Sequence, residues 1–326
     1  MKKVLTLFLT LFTLLTVGCD KESDELQLVR LSEVVHSVFY APQYVALNKG
    51  YFEDEGLQVE YTTAYGADKV VTSILSGESD IGLAGAEATI YVYNQGKEDY
   101  IMNFAQLTQK DGSFLVGRNE ENFAWENLGN TTIIGGRPGG MPEIVLEHIL
   151  KENDLTPNED LEVITNLAFT ATAGAFSSGT GDYVALFEPT ASMMELNGYH
   201  VLSSIGQSSG ELPYTVYMAE KSYIEENKDI IQKFTNAIYR AQIWVSENNS
   251  EDIANEIKQF FKETDIELIQ MSVQRYKDQS IWDLNPLLEV ESFDYLQDII
   301  IESGHLEKRI NSEIVIDNSF AEKALK

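Results

Sequence analysis

Two glutamates stand at corresponding places in the two halves of the sequence, each just beyond an apolar run. Glu87 follows Gly-Glu-Ser-Asp-Ile-Gly-Leu (residues 77–83), and Glu188 follows Gly-Thr-Gly-Asp-Tyr-Val-Ala-Leu (residues 179–186). Each segment is typical of a helix end, a turn, an aspartate and a buried strand. Two similar lobes facing each other would bring both carboxylates to one cleft, as an acid/base pair or as acceptors for an amine. The alternative is a chance similarity between segments made of common residues.

The position of Glu87 admits two interpretations. It follows Gly-Ala at the end of a buried strand, where a helix is expected to begin. A carboxylate there favours a cationic or amine group of a ligand, or it only complements the helix dipole. The free amides of the same turn would suit an anionic or carbonyl group.

A glycine-rich segment, residues 135–143, offers a loop that a ligand can approach closely. It reads Gly-Gly-Arg-Pro-Gly-Gly-Met-Pro-Glu and includes Arg137 and Gly139. No Gly-Lys-Ser/Thr closes it, so it is not a P-loop. We expect a cleft loop in which Arg137 contacts an anion, or in which Arg137 is simply exposed.

Aromatic residues supply the remaining candidate contacts. Phe39 and Tyr40 would stack on a planar ligand or pack against its aliphatic part, unless they belong to the core. Tyr214 borders the same predicted cleft. His36 precedes them, and a lone histidine is more often structural than ligand-binding.

Catalytic and metal-binding patterns are missing from the sequence. The four histidines show no metal-type spacing with each other or with the single cysteine, Cys19. No His-Glu-x-x-His or Walker sequence occurs. We therefore predict a binding protein without metal or cofactor, and interpret Glu87 and Glu188 as binding groups.

The first residues have the layout of a secretory leader. Met-Lys-Lys is followed by an apolar run, residues 4–17, and then by Gly18 and Cys19. This predicts a signal peptide over residues 1–18 and a lipid-anchored Cys19 followed by a charged spacer to residue 25. Thr16 stands where a lipobox usually has Leu, so an ordinary signal peptide is the alternative.

Composition limits the class of partner. Removal of the leader leaves 308 of 326 residues, enough for two domains. The formal charge of −29 argues against nucleic acid and against polybasic docking on anionic lipid. With no further cysteine, stability must come from packing.

Strand and helix patterns alternate along the chain. Leu57 to Tyr61 alternates apolar and polar residues, and residues 81–84 and 131–134 form short apolar runs typical of central parallel strands. Helical spacing marks residues 231–245 and 293–300, the second with Gly304 as its cap. This order indicates α/β layers with ligands at the carboxyl ends of the strands.

Several blocks resemble one family of binding proteins. Residues 40–57 contain Pro-x-Tyr-x-Ala, Lys-Gly-Tyr-Phe and Gly-Leu, which look like the opening signature of solute-binding proteins for nitrate, sulfonate, taurine and thiamine-pyrimidine importers. Residues 66–68, 75–77 and 80–82 resemble its next block, and Phe-Glu-Pro at 187–189 its block in the second lobe. The likeness runs from about Leu28 to the C-terminal helices.

The resemblance implies a two-lobed type II periplasmic-binding-protein fold, with mostly parallel sheets and two hinge crossings. Lobe 1 would take residues 26–114 and 208–326, and lobe 2 residues 115–207, with crossing strands near 113–116 and 213–216. Glu188, at a strand end where family ligands lie, becomes the principal ligand-binding candidate. The lobes would close on a ligand that touches both.

The resemblance also implies a monomeric, exported subunit of an ABC importer with a permease and an ATPase as partners. A planar amine-bearing ligand such as a thiamine-pyrimidine precursor suits two glutamates better than a bare anion does. Taurine or sulfonate, nitrate and riboflavin-like ligands remain alternatives, as does a sensory ectodomain. A fungal relative that synthesises the pyrimidine uses a cysteine-rich iron site, for which this chain lacks the ligands.

Overall fold

The strands of the computed structural model, which describes residues 25–326, gather into two five-stranded sheets. The strands are β1 Gln27–Glu33, β2 Leu57–Thr63, β3 Ile81–Gly85, β4 Ile101–Thr108, β5 Ser113–Gly117, β6 Thr132–Ile134, β7 Glu162–Ile164, β8 Tyr183–Phe187, β9 His200–Ser204 and β10 Thr215–Glu220. The sheet orders are β2-β1-β3-β10-β4 and β7-β6-β8-β5-β9. The signal peptide and Cys19 lie outside the described residues.

Helices cover both sheets. They are α1 Ala41–Asn48, α2 Tyr51–Asp54, α3 Ala67–Leu75, α4 Glu87–Asn94, α5 Met141–Glu152, α6 Thr172–Ser177, α7 Thr190–Leu196, α8 Ile205–Ser209, α9 Lys221–Glu226, α10 Lys228–Glu247, α11 Ser250–Ile257, α12 Ile266–Asp278, α13 Val290–Glu302 and α14 Ser319–Ala324. Short 3₁₀ turns, such as Val38–Tyr40 before α1, complete the helical structure. Between residues 25 and 326, no helix has the length and apolar character needed to cross a membrane.

Each sheet has four strands in one direction and one reversed strand. In the first sheet β1 pairs in parallel with β2 and β3, while β10 runs antiparallel to β3 and β4. In the second sheet β5 is the reversed strand, antiparallel to β8 and β9. The mostly parallel α/β prediction is confirmed, and the reversed strands are the two that directly follow the passages between the sheets.

The passages between the sheets are short. The chain leaves β4 through residues 109–112 and returns through residues 210–214 into β10. Ser113 and Phe114 belong to β5 in the second sheet, slightly before the expected boundary at 114. Helix α8 packs against α5 and β5, so the second lobe extends to Ser209. Hinge motion about these passages stays a prediction.

The C-terminal helices build the first lobe and also reach the second. α10 lies against α1, and Phe234 on its buried face packs beside Phe52 and Tyr217. α12 contacts α7, and α13 contacts α5, both in the second lobe. The C-terminal segment therefore contacts the second lobe through two of its helices.

Candidate functional site

The cleft between the two lobes contains a cavity of about 640 Å³. The first lobe contributes the ends of β1 and β3, the start of α4 and Tyr214, while the second contributes residues 136–142 and Phe187. Carboxyl ends of strands from both sheets therefore meet here, where open α/β sheets bind ligands. The predicted residues Phe39, Tyr40, Glu87, Arg137, Gly139 and Tyr214 all line this cavity.

Glu87 brings a buried carboxyl group to the cavity wall. It is the first residue of α4 and is 2% exposed, and its Oε2 atom has no hydrogen-bond partner. Its carboxylate folds back over Gly85, where any side chain would collide with it. Burial raises the pKa of Glu87 to about 7, although nearby main-chain amides of Glu87, Met141 and Ala88 oppose the shift. Such a carboxyl group is suited to accept hydrogen bonds from a ligand amine.

Aromatic rings form much of the cavity wall. The Phe39 ring centroid lies 5.3 Å from that of Phe187 and 5.8 Å from that of Tyr214. Burial raises the pKa of Tyr40 and Tyr214 well above 10, so both phenols are neutral. Phe39 and Tyr40 are each 1% exposed, which means that they serve the core and the cavity wall together. A planar ligand would meet flat apolar surfaces here.

Arg137 spans the mouth of the cleft. Its Nη1 atom lies 2.8 Å from Oδ1 of Asp68, at the start of α3 in the opposite lobe. Both side chains are about half exposed. This pair joins the lobes, so the arginine that was predicted as an anion contact already has a carboxylate partner.

Gly139 makes a further contact between the lobes. Its carbonyl accepts a hydrogen bond of 3.0 Å from the Tyr91 hydroxyl, and its amide donates to Oε2 of Glu143 at 2.7 Å. Glu143 in turn lies 3.3 Å from Nε2 of His305, in the segment after α13. The amide of Gly139 is thus occupied by a carboxylate of the protein and is unavailable to an anionic ligand.

Glu188 was predicted to contact a ligand, and in the structure its carboxylate forms an ion pair within the protein. Its side chain is fully buried, with Oε1 2.7 Å from Nη1 of Arg275 on α12 and 2.8 Å from the Ser192 hydroxyl. Oε2 accepts the Ser192 amide at 3.0 Å. No basic residue stands near Glu188 in the sequence, but folding brings in an arginine 87 residues away. The carboxylate binds the lobes to each other, and its role as a ligand acceptor stays a prediction.

A second buried carboxylate network had no sequence signal. Glu33, at the end of β1, accepts hydrogen bonds from Gln43 at 2.7 Å, Tyr44 at 2.8 Å and Thr63 at 2.8 Å. Nδ1 of His36 lies 3.1 Å from the same carboxylate, while Nε2 lies 2.9 Å from the carbonyl oxygen of Phe260. Both ring nitrogens therefore lie near acceptors, which favours the doubly protonated imidazolium form, and the Tyr44 hydroxyl also lies 2.9 Å from Nδ1.

We expect NMR of His36 to show an imidazolium at pH 6. Burial opposes its protonation, but the hydrogen bonds to Glu33 and to the Phe260 carbonyl outweigh burial and raise the pKa of His36. Because the folded-state pKa is raised, the stabilisation is fully present below about pH 6.5 and is lost as pH rises through the folded-state value. A neutral His36 ring at pH 6 in a ¹⁵N spectrum would contradict this assignment, and Glu33→Gln should lower the measured pKa.

No group of three or more potential metal-ligating side chains occurs among residues 25–326.

The comparisons with known proteins agree with this architecture. The model of the family described as "NMT1/THI5 like" matches residues 38–252. A Bacillus subtilis (strain 168) protein provisionally named as binding protein YtlA is 45% identical over 316 residues, covering 96% of this chain and 95% of its own. The chain belongs to the NMT1/THI5-like family. A second protein from the same organism, provisionally named for binding aliphatic sulfonates, is 22% identical, with coverages of 99% and 97%.

Solved structures confirm the fold for this member of the NMT1/THI5-like family. The alkanesulfonate-binding protein SsuA from Xanthomonas axonopodis pv. citri, bound to MOPS, matches with a TM-score of 0.74 at 13% identity, covering 90% of this chain and 99% of its own. The nitrate-binding protein NrtA from Synechocystis PCC 6803 has a TM-score of 0.72 at 14% identity, with coverages of 92% and 88%. The predicted periplasmic-binding-protein fold is therefore correct. The relatives described above are binding proteins, and the chain is a solute-binding protein rather than an enzyme, as predicted.

Proposed function

We propose that this chain is the extracytoplasmic receptor of an ABC importer and closes its lobes on a planar, amine-bearing ligand of the aminopyrimidine kind. A permease and an ATPase would receive the loaded protein, and Cys19 would carry the lipid anchor. Three observations support this function: the family, the two-lobed fold and the chemistry of the interlobe cavity.

The single observation that carries the ligand class is the buried carboxyl group of Glu87 in an aromatic cavity, whose Oε2 atom has no hydrogen-bond partner. A buried acceptor without a partner costs free energy until a ligand satisfies it. An amino group beside a ring nitrogen supplies a hydrogen-bond donor at the edge of a flat ring. The side chains of Phe39 and Tyr214 can pack against the faces of that ring. Such a ligand therefore satisfies both the polar and the apolar parts of the cavity.

Charge distribution argues against a bare anion. Of the cationic groups that line the cavity, Arg137 is paired with Asp68, and His305 lies beside Glu143. An anion would meet Glu87 without an unpaired cation to offset the repulsion and the loss of hydration. Nitrate and simple sulfonates consequently fit less well than a neutral or cationic ring.

A taurine-like zwitterion is the second candidate. Arg137 and Glu87 line the same cavity, and the guanidinium is about half exposed, so it could exchange Asp68 for a sulfonate while Glu87 accepts the ammonium group. The distant relative named for aliphatic sulfonates supports this ligand class. Arg137→Ala would then remove binding of taurine while leaving binding of an aminopyrimidine nearly intact.

Thermal unfolding of residues 25–326 with a ligand panel tests the proposal. The panel holds aminopyrimidines, thiamine, riboflavin, taurine, alkanesulfonates and nitrate. A ligand present at one hundred times its dissociation constant should stabilise the folded state by about 2.7 kcal/mol. We expect this stabilisation with an aminopyrimidine and not with nitrate. Stabilisation by sulfonates alone would overturn the ligand class and leave the receptor function standing.

A further inference from the structure

Two contacts between the lobes differ in the chemistry of their cationic groups. In the first, α12 contacts α7, and Arg275 pairs with Glu188 and Glu195. In the second, which we call the α5–α13 contact, two histidines lie against glutamates. An arginine stays charged at every pH at which proteins are folded, whereas a histidine changes its charge between about pH 5 and pH 8. We therefore expect the α5–α13 contact to respond to pH and the arginine contact to stay constant.

His148 forms the first part of the α5–α13 contact. It lies on α5 in the second lobe, with Nδ1 2.8 Å from Oε2 of Glu302 and Nε2 3.0 Å from the Tyr295 hydroxyl, both on α13. Lys151, also on α5, donates to the main-chain oxygen of Glu302 at 2.8 Å. The His148 side chain is 9% exposed and that of Glu302 is 40% exposed. A proton added to this ring puts a positive charge directly against the carboxylate, which strengthens the contact.

His305 forms the second part, just beyond the end of α13. Its Nε2 atom lies 3.3 Å from Oε2 of Glu143, in the first turn of α5. The same oxygen accepts the Gly139 amide, and the Gly139 carbonyl accepts the hydroxyl of Tyr91 on α4 in the first lobe. His305, Gly139 and Tyr91 line the interlobe cavity. The α5–α13 contact thus continues from the two helices to the wall of the cleft.

The other titratable groups near these two rings are mostly acidic. On the elements that pack here they are Glu126 in the turn beside α5, Glu147, Lys151 and Glu152 on α5, Glu87, Tyr91 and Tyr93 on α4, Glu291, Asp294 and Asp298 on α13, and Glu307, Lys308, Arg309 and Glu313 beyond it. Helix α8, which also packs on α5, carries none. Arg309 is paired with Asp294 and Asp298. A positive charge on either histidine consequently meets more attraction than repulsion.

The α5–α13 contact lies farther from the passages between the lobes than the arginine contact does. Lys110, in the first passage, donates to the main-chain oxygen of Gln279 at the end of α12, at 3.3 Å. His305 instead lines the cavity together with Arg137 and Asp68, which pair across the mouth of the cleft. A rotation of the lobes about the passages separates the α5–α13 contact and the mouth more than it separates α12 from α7.

We infer that the α5–α13 contact is a pH-dependent latch, in which protonated His148 and His305 hold the lobes closed and the neutral rings let them open. The inference rests on the closing of the lobes in the proposed function and is independent of the ligand class. Because the closed form binds more protons than the open form, closure is favoured as pH falls. A receptor outside the cytoplasm would then hold its ligand more firmly in a mildly acidic medium.

Small-angle X-ray scattering of the ligand-free protein at pH 6 and pH 8 tests the latch, since closed lobes give a smaller radius of gyration than open lobes. The radius is extrapolated to zero protein concentration because the net charge is −29. The test variant is His148→Gln with His305→Gln. The control is His200→Gln, because His200 lies on β9, the edge strand of the second sheet. Glu302→Gln changes a substantially exposed carboxylate and replaces the histidine variant if melting temperatures show that the latter does not fold.

The unmodified protein and His200→Gln should have a smaller radius of gyration at pH 6 than at pH 8. Two partly exposed ion pairs correspond to about a tenfold shift in the ratio of closed to open molecules. The double histidine variant should lose this shift, and Glu302→Gln should reduce it. A radius that does not change with pH in the unmodified protein would overturn the latch.

A pH shift that persists in the double histidine variant would also overturn the latch. Glu87, whose pKa of about 7 lies in the same range, would then be the group responsible. Neither result touches the ligand panel, in which thermal unfolding reports binding directly. A failed latch therefore leaves the proposed function standing, and a failed panel leaves the latch to be decided by scattering.

Discussion

Glu87→Gln is expected to stabilise the ligand-free protein at pH 8 by up to about 3 kcal/mol. The pKa of Glu87 rises from 4.5 to about 7 on folding, and each unit corresponds to about 1.4 kcal/mol. Between these values the folded state binds more protons than the unfolded state, so the stability of the unmodified protein falls as pH rises from about 4.5 to 7. The neutral amide of glutamine avoids this cost.

Denaturant unfolding at pH 4.5 and pH 8 measures the effect. The gain in the free energy of unfolding from Glu87→Gln should be large at pH 8 and should nearly vanish at pH 4.5. Glu143→Gln is the matched control, because Glu143 is also buried but accepts the Gly139 amide and lies beside His305. The Glu143→Gln variant should be less stable than the unmodified protein at pH 8. A gain for Glu87→Gln that is absent, or equal at both pH values, would contradict the description of Glu87 as an unpartnered buried acid.

Arg275→Ala is expected to destabilise the protein by about 3–5 kcal/mol. The guanidinium lies 2.7 Å from Glu188 and 2.6 Å from Glu195, and the side chain of Glu188 is inaccessible to solvent. Removal of the arginine leaves a buried carboxylate with only Ser192 as a strong partner, and an uncompensated buried charge is costly. Urea unfolding gives the free-energy change directly.

Arg309→Ala provides the comparison for this ion pair. Arg309 also contacts two carboxylates, Asp294 and Asp298, but all three side chains are substantially exposed. Solvent screens such pairs, so this substitution should change the free energy of unfolding far less. Equal effects of the two substitutions would mean that the Arg275–Glu188 pair does not hold the lobes together. We also expect Glu188→Ala to act on stability first, so any loss of ligand binding in that variant must be compared with its melting temperature.

The elements were largely predictable because their signals are local. Alternation from Leu57 predicted β2, the apolar runs predicted β3 and β6, and helical spacing predicted α10 and α13. Gly304 adopts a φ of 82° just past α13, which fits its predicted capping role. These patterns depend on residues within one element, where period and turn chemistry decide the outcome.

The partners within the site were much less predictable, because they come from distant parts of the chain. The sequence placed Glu87 and Glu188 at equivalent strand ends, and both positions are correct. The sequence could not show that Arg275 would form an ion pair with Glu188 and that Glu87 would have no such partner. The Glu33–His36 network and the Asp68–Arg137 pair across the cleft likewise depend on how the lobes meet. Burial and pairing of charges are tertiary properties, and they decided which carboxylate became the ligand-binding candidate.

Calorimetric titration of 4-aminopyrimidine and of taurine into the unmodified protein and Glu87→Gln tests the central claim most directly. At pH 7.5 the aminopyrimidine should bind with one-to-one stoichiometry, and Glu87→Gln should weaken it by about 10- to 100-fold through loss of a charged acceptor. Taurine should bind weakly or not at all. The contradictory result is tight binding of taurine whose affinity is the same or higher in Glu87→Gln. Glu87 would then not be the group that selects the ligand.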